Sequence, residues 1–238
     1  MANIELDHVM DLIGRKYAVD VVPLKIGNKI LKILQLKNFE DYLVELIDQK
    51  GAKIMDLPFW AKIWDSSFLL AYFLGRQPVV LGQQMLEIGA GMGIVGIYAA
   101  LCGHRVTVTD INEDALLFAR ANALLNGVPQ VQVRMLDWTA PDLSETYNVI
   151  FGSEVVYDRQ SYPALVYFLR RVLSPKGMIF LAKNAELNAP TFFVELTKYF
   201  EFKQNTQTVR TSEESQDITL YAVRPKQSVP ASAETIEG

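Results

Sequence analysis

The sequence predicts an α/β fold built on a doubly wound, mostly parallel β-sheet. Between residues 84 and 182, short apolar or β-branched segments alternate with helical segments, which is the pattern of strand–helix–strand units with right-handed crossovers. After residue 199, two strand-like segments follow each other directly, which predicts an antiparallel strand at the edge of the sheet. Hydrophobic residues make up 50% of the 238 residues and charged residues 21%, as in ordinary globular proteins.

The predicted core elements follow each other in a regular order. Apolar periodicity predicts strands at residues 84–88, 105–109, 131–136, 147–151 and 178–182, and helices at residues 94–102, 113–125, 165–172 and 190–199. The helix after Asn112 has the clearest start, because this side chain can accept a first-turn N–H while Glu113 and Asp114 suit the positive end of the helix dipole.

The first 80 residues do not continue this alternation and are interpreted as a cap on the core. They predict a hairpin over residues 17–36 that turns near Gly27, a helical face between Phe39 and Ile47, and a second helix over residues 60–74. We therefore expect one domain over residues 1–224, with the cap at 1–80 and the core at 81–224. Residues 225–238 are small, polar and punctuated by proline, which predicts a disordered tail.

Charge and cysteine content exclude several classes of function. The net charge of −4 argues against a broad nucleic-acid surface. A single cysteine, Cys102, cannot form an intramolecular disulfide, and with only two histidines no metal site is expected. No apolar run reaches the roughly 18–20 residues of a membrane span, and the N-terminus has no basic segment typical of a signal peptide. A soluble, cytoplasmic protein without membrane contacts is expected; the sequence gives no indication of its oligomeric state.

A glycine-rich loop, Glu87-Ile88-Gly89-Ala90-Gly91-Met92-Gly93, lies between the first core strand and its helix. Ligands of open α/β sheets bind at such strand ends, where glycine lets the backbone approach them closely. Two cofactors compete for the loop. The spacing from Gly91 to Gly96 matches the dinucleotide pattern G-x-G-x-x-G. However, two like charges about 4 Å apart repel by about 4 kcal/mol at an effective dielectric of about 20, so Glu87 disfavours a pyrophosphate and favours the cationic S-adenosylmethionine.

Acidic residues follow the next two strands. Asp110 ends the second strand, where a carboxylate can accept hydrogen bonds from both ribose hydroxyls of either cofactor. Asp137 and Trp138 end the third strand, where they suit an adenine amino group and ring. Their placement at successive strand ends predicts a nucleoside-binding site.

These segments resemble a known family. LEIGAGMGIVGIYAA, VTVTDIN and LDW resemble the cofactor motifs of class I, seven-β-strand methyltransferases, which have a Rossmann-like sheet and use S-adenosyl-L-methionine. Residues 60–71 (WAKIWDSSFLLA) resemble the tryptophan-containing helix of methyltransferase family 16, and residues 151–157 (FGSEVVY) resemble its D-x-x-Y segment. That family includes many protein-lysine methyltransferases, and the resemblance covers residues 55–185.

The resemblance implies a set of cofactor-binding residues and two catalytic ones. Trp64 would border the methionine end of the cofactor and Ser153 would lie beneath it. Glu154 stands where the family usually has aspartate, and it would recruit and orient the acceptor amine, which Tyr157 would orient through its hydroxyl or ring face. The full cofactor set is Trp64, Glu87, Gly89, Ala90, Gly91, Gly93, Asp110, Ile111, Asp137, Trp138 and Ser153.

The expected function is S-adenosylmethionine-dependent N-methylation of a lysine side chain in a protein substrate. A small-molecule N-methyltransferase on the same frame is the first alternative. A methyltransferase-like binding module without catalysis is the second, and an NAD-dependent oxidoreductase is the third.

Overall fold

The structure is a computed structural model that describes residues 2–50, 57–210 and 215–226. Its helices are α1 (Ala2–Gly14), α2 (Phe39–Lys50), α3 (Asp65–Gly75), α4 (Ile94–Leu101), α5 (Glu113–Leu125), α6 (Tyr162–Val172) and α7 (Pro190–Leu196). Its strands are β1 (Val19–Ile26), β2 (Lys29–Leu36), β3 (Gln84–Glu87), β4 (Arg105–Asp110), β5 (Gln132–Met135), β6 (Tyr147–Ser153), β7 (Leu173–Asn184), β8 (Phe200–Arg210) and β9 (Ser215–Pro225).

Seven strands form the main sheet in the order β5-β4-β3-β6-β7-β9-β8, and the first five of these are parallel. The predicted α/β class with a mostly parallel sheet is confirmed. The antiparallel pairing predicted at the end of the sheet is also found: β9 lies antiparallel between β7 and β8, and β8 forms the edge. The reason is hydrophobic burial, because β9 carries the fully buried Ile218 and Val223 and needs neighbours on both sides, whereas the polar middle of β8 tolerates the edge.

Both faces of the sheet are covered by an apolar layer. Successive residues of a strand point to opposite faces, so Met85 packs in the cluster beneath α4 and α5 while Leu86 packs in the cluster beneath α6 and α7. Val149 and Ile150 on β6 divide in the same way. The central strands are therefore buried on both sides and present only their ends to ligands.

The cap is fastened to helix α5. The β1–β2 hairpin turns at Gly27 and Asn28, as predicted, and its β2 backbone donates hydrogen bonds to two asparagines of the α5 segment. Leu34 N lies 2.7 Å from Asn122 Oδ1, and Lys32 N lies 2.9 Å from Asn126 Oδ1. Helix α1, which the sequence analysis did not predict, also packs on α5.

The second predicted cap helix begins later than expected. Residues Phe59–Ala61 form one 3₁₀ turn, Lys62 and Trp64 have extended backbones, and α3 begins only at Asp65. Trp64 occupies the N-cap position, with ψ at 137°, so the polar Asp65-Ser66-Ser67 segment forms the first helical turn. Helix α3 packs on α4 and β7, within the helical layer of the main sheet.

Strand β9 extends to Pro225, the first residue of the predicted disordered tail. The rest of that tail, residues 227–238, lies outside the described residues. In the described part of the chain, no helix has the length and hydrophobicity needed to cross a membrane.

Candidate active site

The candidate site lies at the carboxyl end of the parallel strands. Strands β4, β3 and β6 are neighbours, so the residues that follow them meet at one edge of the sheet. This arrangement brings the glycine loop after β3 close to Asp110 at the end of β4 and Ser153 at the end of β6. The predicted residues from these three strand ends are thus assembled by the sheet topology.

The glycine loop is held tightly from two sides. A Cβ atom at Gly89 would lie 2.8 Å from Val155 Cγ1, and one at Gly91 would lie 2.5 Å from the carbonyl oxygen of Trp60. Both glycines have positive φ, 55° and 53°, which side chains rarely tolerate. Ala90 N donates a hydrogen bond to Thr109 O at 3.0 Å. The loop backbone is therefore fixed, and the half-buried Gly89 and Ala90 leave it accessible to a ligand.

Glu87 lies beneath the loop and not on its ligand side. Its side chain is buried, and its Oε2 accepts a hydrogen bond from Gly96 N at 2.9 Å, in the first turn of α4. Gly93 occupies the N-cap of α4 and has no side chain with which to cap it, so the Glu87 carboxyl binds one of the free first-turn N–H groups instead. A Cβ atom at Gly96 would collide with this carboxyl oxygen. The last glycine of the G-x-G-x-x-G match therefore makes room for a carboxyl group and not for a pyrophosphate.

The protonation of Glu87 also differs from the expectation. Burial raises its pKa to about 8, opposed by the Gly96 hydrogen bond and reinforced by the nearby Asp110. The carboxyl is therefore largely protonated at neutral pH in the protein without ligand. A negative charge at this strand end is much weaker than the sequence suggests, and it contributes little to the choice between a cationic and a phosphorylated ligand.

Asp110 connects the glycine loop to helix α5. It is buried, its Oδ2 accepts a hydrogen bond from Gly91 N at 2.8 Å, and its Oδ1 accepts one from Asn112 N at 2.9 Å. Burial raises its pKa, while the backbone N–H groups act in the opposite direction. A carboxylate has about four acceptor positions, so these backbone donors leave it able to accept from a ligand hydroxyl as well. The neighbouring Ile111 is 61% exposed, although it is a large apolar residue, which fits a residue that a bound ring would cover.

Asp137 and Trp138, which the sequence assigned to the adenine, follow β5 next to Asp110, whose carbonyl oxygen accepts a hydrogen bond from Leu136 N at 2.9 Å. Asp137 Oδ1 accepts hydrogen bonds from Thr139 N at 2.8 Å and Thr139 Oγ1 at 2.6 Å, which stabilise the turn after β5 and lower the pKa of Asp137. The Trp138 ring lies against the glycine loop, 3.8 Å from the position of a Cβ at Gly89. Trp138 therefore forms a wall of the site, whereas Asp137 has a structural role in its turn whatever else it binds.

The first turn of α3 lies against the end of β6. The hydroxyl oxygens of Ser66 and Ser67 lie 2.7 and 3.1 Å from Ser153 Oγ. Just before them, the half-buried Trp64 donates a hydrogen bond from Nε1 to Phe59 O at 3.3 Å. The three hydroxyls thus place the tryptophan segment directly beside the end of β6.

Glu154 follows Ser153 in a strained conformation. Its φ of 54° is rare for a residue with a side chain, and such strain concentrates at functional sites. Its Oε1 accepts a hydrogen bond from Asn184 N at 2.7 Å. Burial raises the pKa of the Glu154 carboxyl, and the Ser66 hydroxyl, the Asn184 N–H and two lysines, Lys183 and Lys62, oppose that shift. The carboxyl is therefore fixed at the strand end by the Asn184 N–H, and two lysines are near enough to oppose the rise of its pKa.

Tyr157 lies on the rim of the site. Its side chain is 63% exposed, and the carboxylates that act on its phenol are those of Asp110 and Asp158. Tyr157 thus lies within electrostatic range of Asp110, while the Glu154 carboxyl accepts the Asn184 N–H of β7.

Sequence reasoning missed four residues of this site: Trp60, Lys62, Ser66 and Lys183. Trp60 provides the carbonyl oxygen that lies against Gly91, and Ser66 binds Ser153. Lys183 had a visible signal, because it is a charged residue directly after the apolar run of residues 178–182, and the structure buries it. Ser66 had none, because it lies within the polar Asp65-Ser66-Ser67 segment. The contact between Trp60 and Gly91 had no signal in the sequence, because it joins residues about 30 positions apart through a backbone oxygen.

A concave region lies away from the candidate site residues. A groove of about 550 Å³ runs between α3 and the β8–β9 pair, lined by Tyr72, Phe73, Arg76, Lys203 and Leu220 among others. None of the predicted site residues lines it, so its volume does not bear on the candidate chemistry.

Comparison with known proteins gives a consistent result. A sequence model described as lysine methyltransferase matches residues 57–199. EEF1A lysine methyltransferase 3 of Mus musculus is 33% identical over 181 residues, covering 72% of this chain and 75% of the relative. Protein N-lysine methyltransferase METTL21A of Danio rerio is 36% identical over 154 residues, covering 60% of this chain and 70% of the relative.

The fold also matches solved structures. The N-methyltransferase NodS from Bradyrhizobium japonicum WM9, in complex with S-adenosyl-L-homocysteine, aligns with a TM-score of 0.56 and 18% identity. The alignment covers 80% of this chain and 100% of that chain. At this identity the likeness shows the fold alone.

Proposed function

The chain belongs to the lysine methyltransferase family, and from that premise we propose that it transfers the methyl group of S-adenosylmethionine to a lysine side chain of another protein. One observation carries the proposal for the acceptor: the strained, half-buried Glu154 lies directly after Ser153, at the same sheet edge as the glycine loop and Asp110. A carboxyl group is the side chain that attracts an ammonium group, and this one is fixed by Asn184 N.

The described residues fit S-adenosylmethionine. Asp110 has acceptor capacity left for a ribose hydroxyl, and the exposed Ile111 and the Trp138 ring can cover the adenine. Asp137 is proposed to accept from the adenine amino group. Glu87 acts as a positioning residue that holds helix α4, and through it the glycine loop, in place. When bound, the cofactor supplies a methyl group on a sulfonium leaving group.

The task of the remaining residues is to recruit and align the amine. Neutralising a lysine of ordinary pKa at pH 7 costs about 4.6 kcal/mol, and a carboxylate raises the lysine pKa further. We therefore assign Glu154 the recruitment and orientation of the acceptor. Tyr157, on the rim, is proposed to orient the amine through its hydroxyl or ring face. Alignment of the reacting groups then supplies most of the acceleration.

The position of the cap favours a protein acceptor over a small molecule. A small substrate would need the N-terminal cap to enclose it. The described cap elements α1 and β2 pack on α5, while α3 borders the end of β6 through its first turn, where Ser66 binds Ser153. The rim carries exposed apolar side chains, among them Phe59, Ile111 and Tyr157. An open rim of this kind can admit a lysine that projects from a folded protein. The free thiol of Cys102 suits a reducing compartment, and we propose the cytoplasm as the place of action.

Isotope labelling tests the proposal. The purified protein is incubated with methyl-labelled S-adenosylmethionine and a whole-cell lysate, and the labelled proteins are hydrolysed to amino acids. We expect methyl-lysine in protein, and no labelling with the Asp110→Ala variant. Label only in small molecules would support the first alternative. Methyl-arginine or methyl-histidine as the product would overturn the assignment of lysine, and cofactor binding without any product would indicate a binding module.

A further inference from the structure

Lys62 directly precedes the segment of the candidate site that contains Trp64 and Ser66. It follows the 3₁₀ turn Phe59–Ala61, and its backbone N–H donates a hydrogen bond to Phe59 O at 3.2 Å, which fixes the main chain there. Its side chain is exposed, and its Nζ lies 4.5 Å from the centroid of the Trp64 ring. An ammonium group of this chain thus lies on the face of the aromatic residue that is expected to border the methionine end of the cofactor.

The same amine lies within electrostatic range of Glu154. Two lysines, Lys183 and Lys62, act on that carboxyl, and they differ in their surroundings. Lys183 is buried, and its Nζ donates hydrogen bonds to the carbonyl oxygens of Asn184 and Leu187. Lys62 is exposed and contacts a ring face, so its long side chain can change rotamer without breaking backbone hydrogen bonds. Of these two amines, only that of Lys62 is suited to enter a reaction.

We propose that Lys62 is itself a methyl acceptor, modified intramolecularly at the site between Trp64 and Glu154. The inference rests on the proposed function, because it uses the same cofactor and the same carboxyl. The lone pair of the neutral Lys62 Nζ forms the new N–C bond while the C–S bond of S-adenosylmethionine breaks. The sulfur keeps that electron pair as a thioether, and one proton leaves the nitrogen to solvent.

Two features of the geometry favour an intramolecular reaction. The distance from Lys62 to Trp64 is set by a two-residue separation and a fixed turn, so the amine is present at the site without a binding step. A lysine so placed also resembles the proposed external acceptor, an ammonium group held near a carboxyl and an aromatic face. We therefore expect the external substrate to compete with Lys62 for the same position.

Mass spectrometry of the purified protein with S-adenosylmethionine tests the inference. We expect a mass increase of one methyl group, or a multiple, located on Lys62, and its loss in Lys62→Arg. The fraction modified after a fixed time should not depend on protein concentration, as for a reaction within one molecule. Methylation at Lys183 in place of Lys62, no methylation at Lys62, or a rate proportional to protein concentration would each overturn the inference.

A second readout does not depend on turnover. Competitive acetylation measures how fast each lysine reacts, and S-adenosylhomocysteine should slow the acetylation of Lys62 several-fold while the exposed Lys176 at the opposite end of the sheet reacts as before. An unchanged rate at Lys62 would overturn its placement beside the cofactor.

The lysate experiment separates the two proposals. If lysines of other proteins are labelled while Lys62 is not, the inference fails and the proposed function stands. If the cofactor binds and neither Lys62 nor any other protein lysine is labelled, the proposed function itself fails.

Discussion

The carboxyl group of Glu87 fills the space that a side chain at position 96 would need, so residue 96 must be glycine while Glu87 keeps this position. Glu87 Oε2 accepts the N–H of Gly96 at 2.9 Å, and a Cβ at Gly96 would collide with that oxygen. The pair joins the end of β3 to the first turn of α4, on either side of the glycine loop. The hydrogen bond between Glu87 and Gly96 therefore fixes the position of the glycine loop.

The Gly96→Ala substitution should destabilise the protein by about 2–4 kcal/mol, because it displaces the Glu87 carboxyl and breaks a buried hydrogen bond. Adding Glu87→Ala should cost less in this background than in the wild type, since the new methyl group occupies vacated space. We expect a coupling energy of about 1 kcal/mol or more in a double-mutant cycle measured by urea unfolding. Gly14→Ala is the control, because nothing lies within 4 Å of its Cβ position. Strictly additive effects would contradict the pairing.

Stability should fall with rising pH because of Glu87. Its pKa in the folded protein is about 8 against 4.5 ordinarily, so between these values the folded state holds a proton that the unfolded chain has lost. The free energy of unfolding then decreases as pH rises, by up to about 1.4 kcal/mol per pH unit from this group. Glu87→Gln keeps an acceptor for Gly96 N and removes the titration. The free energy of unfolding of the wild type minus that of the variant should decrease from pH 5 to 8. A difference that does not change with pH would show that the Glu87 carboxyl is ionised in the folded protein.

Asp110 should control cofactor affinity. Replacing it by alanine removes a hydrogen bond from a charged group to the ribose, worth about 1.5–3 kcal/mol, so we expect calorimetry with S-adenosylhomocysteine to show about 10- to 100-fold weaker binding. Asp110→Asn keeps an acceptor for Gly91 N, and its affinity for S-adenosylhomocysteine should lie between those of the wild type and Asp110→Ala. Asp142→Ala, at an exposed acid outside the site, serves as the control and should bind normally. Equal affinity for Asp110→Ala and the control would remove the ribose assignment.

Glu154 should matter for transfer and not for cofactor binding. Glu154→Gln keeps an acceptor for Asn184 N and loses the charge, so it separates the attraction of the amine from the support of the strand end. We expect transfer to a lysine substrate to fall by at least 100-fold, while the dissociation constant for S-adenosylhomocysteine stays within about threefold. Glu154→Asp, the residue usual in the family, should retain measurable activity. Normal turnover by Glu154→Gln would show that the charge has no part in the reaction.

The backbone at Glu154 gives a further test of the same residue. At a φ of 54°, glycine is more favourable than alanine by about 1 kcal/mol, so Glu154→Gly should be more stable than Glu154→Ala. Both variants should be equally inactive, because neither carries a carboxyl. If they unfold at the same urea concentration, the conformation relaxes on substitution and the strain belongs to the carboxyl contacts alone.

The sequence by itself determined which motif follows which strand, and hence the edge of the sheet at which a ligand binds. Alternating apolar segments predict parallel strands whose carboxyl ends meet, so the glycine loop and Asp110 could be placed together from the sequence, and the family resemblance added Ser153. Local chemistry was also readable: Asn112 caps α5, its Oδ1 accepting from Ala115 N at 3.0 Å. These features depend on periodicity and on neighbours a few residues apart.

Only the tertiary structure decided what the polar groups do. Glu87 was expected to present a charge to the ligand, but burial neutralises it and its partner is a backbone N–H nine residues away. The contacts of Trp60 with Gly91, and of Ser66 with Ser153, join distant segments through side-chain direction and depth. The burial of a polar group and its contacts with distant residues determine its pKa and its hydrogen-bond partner. Neither burial nor distant contacts can be read from the order of residue types along the chain.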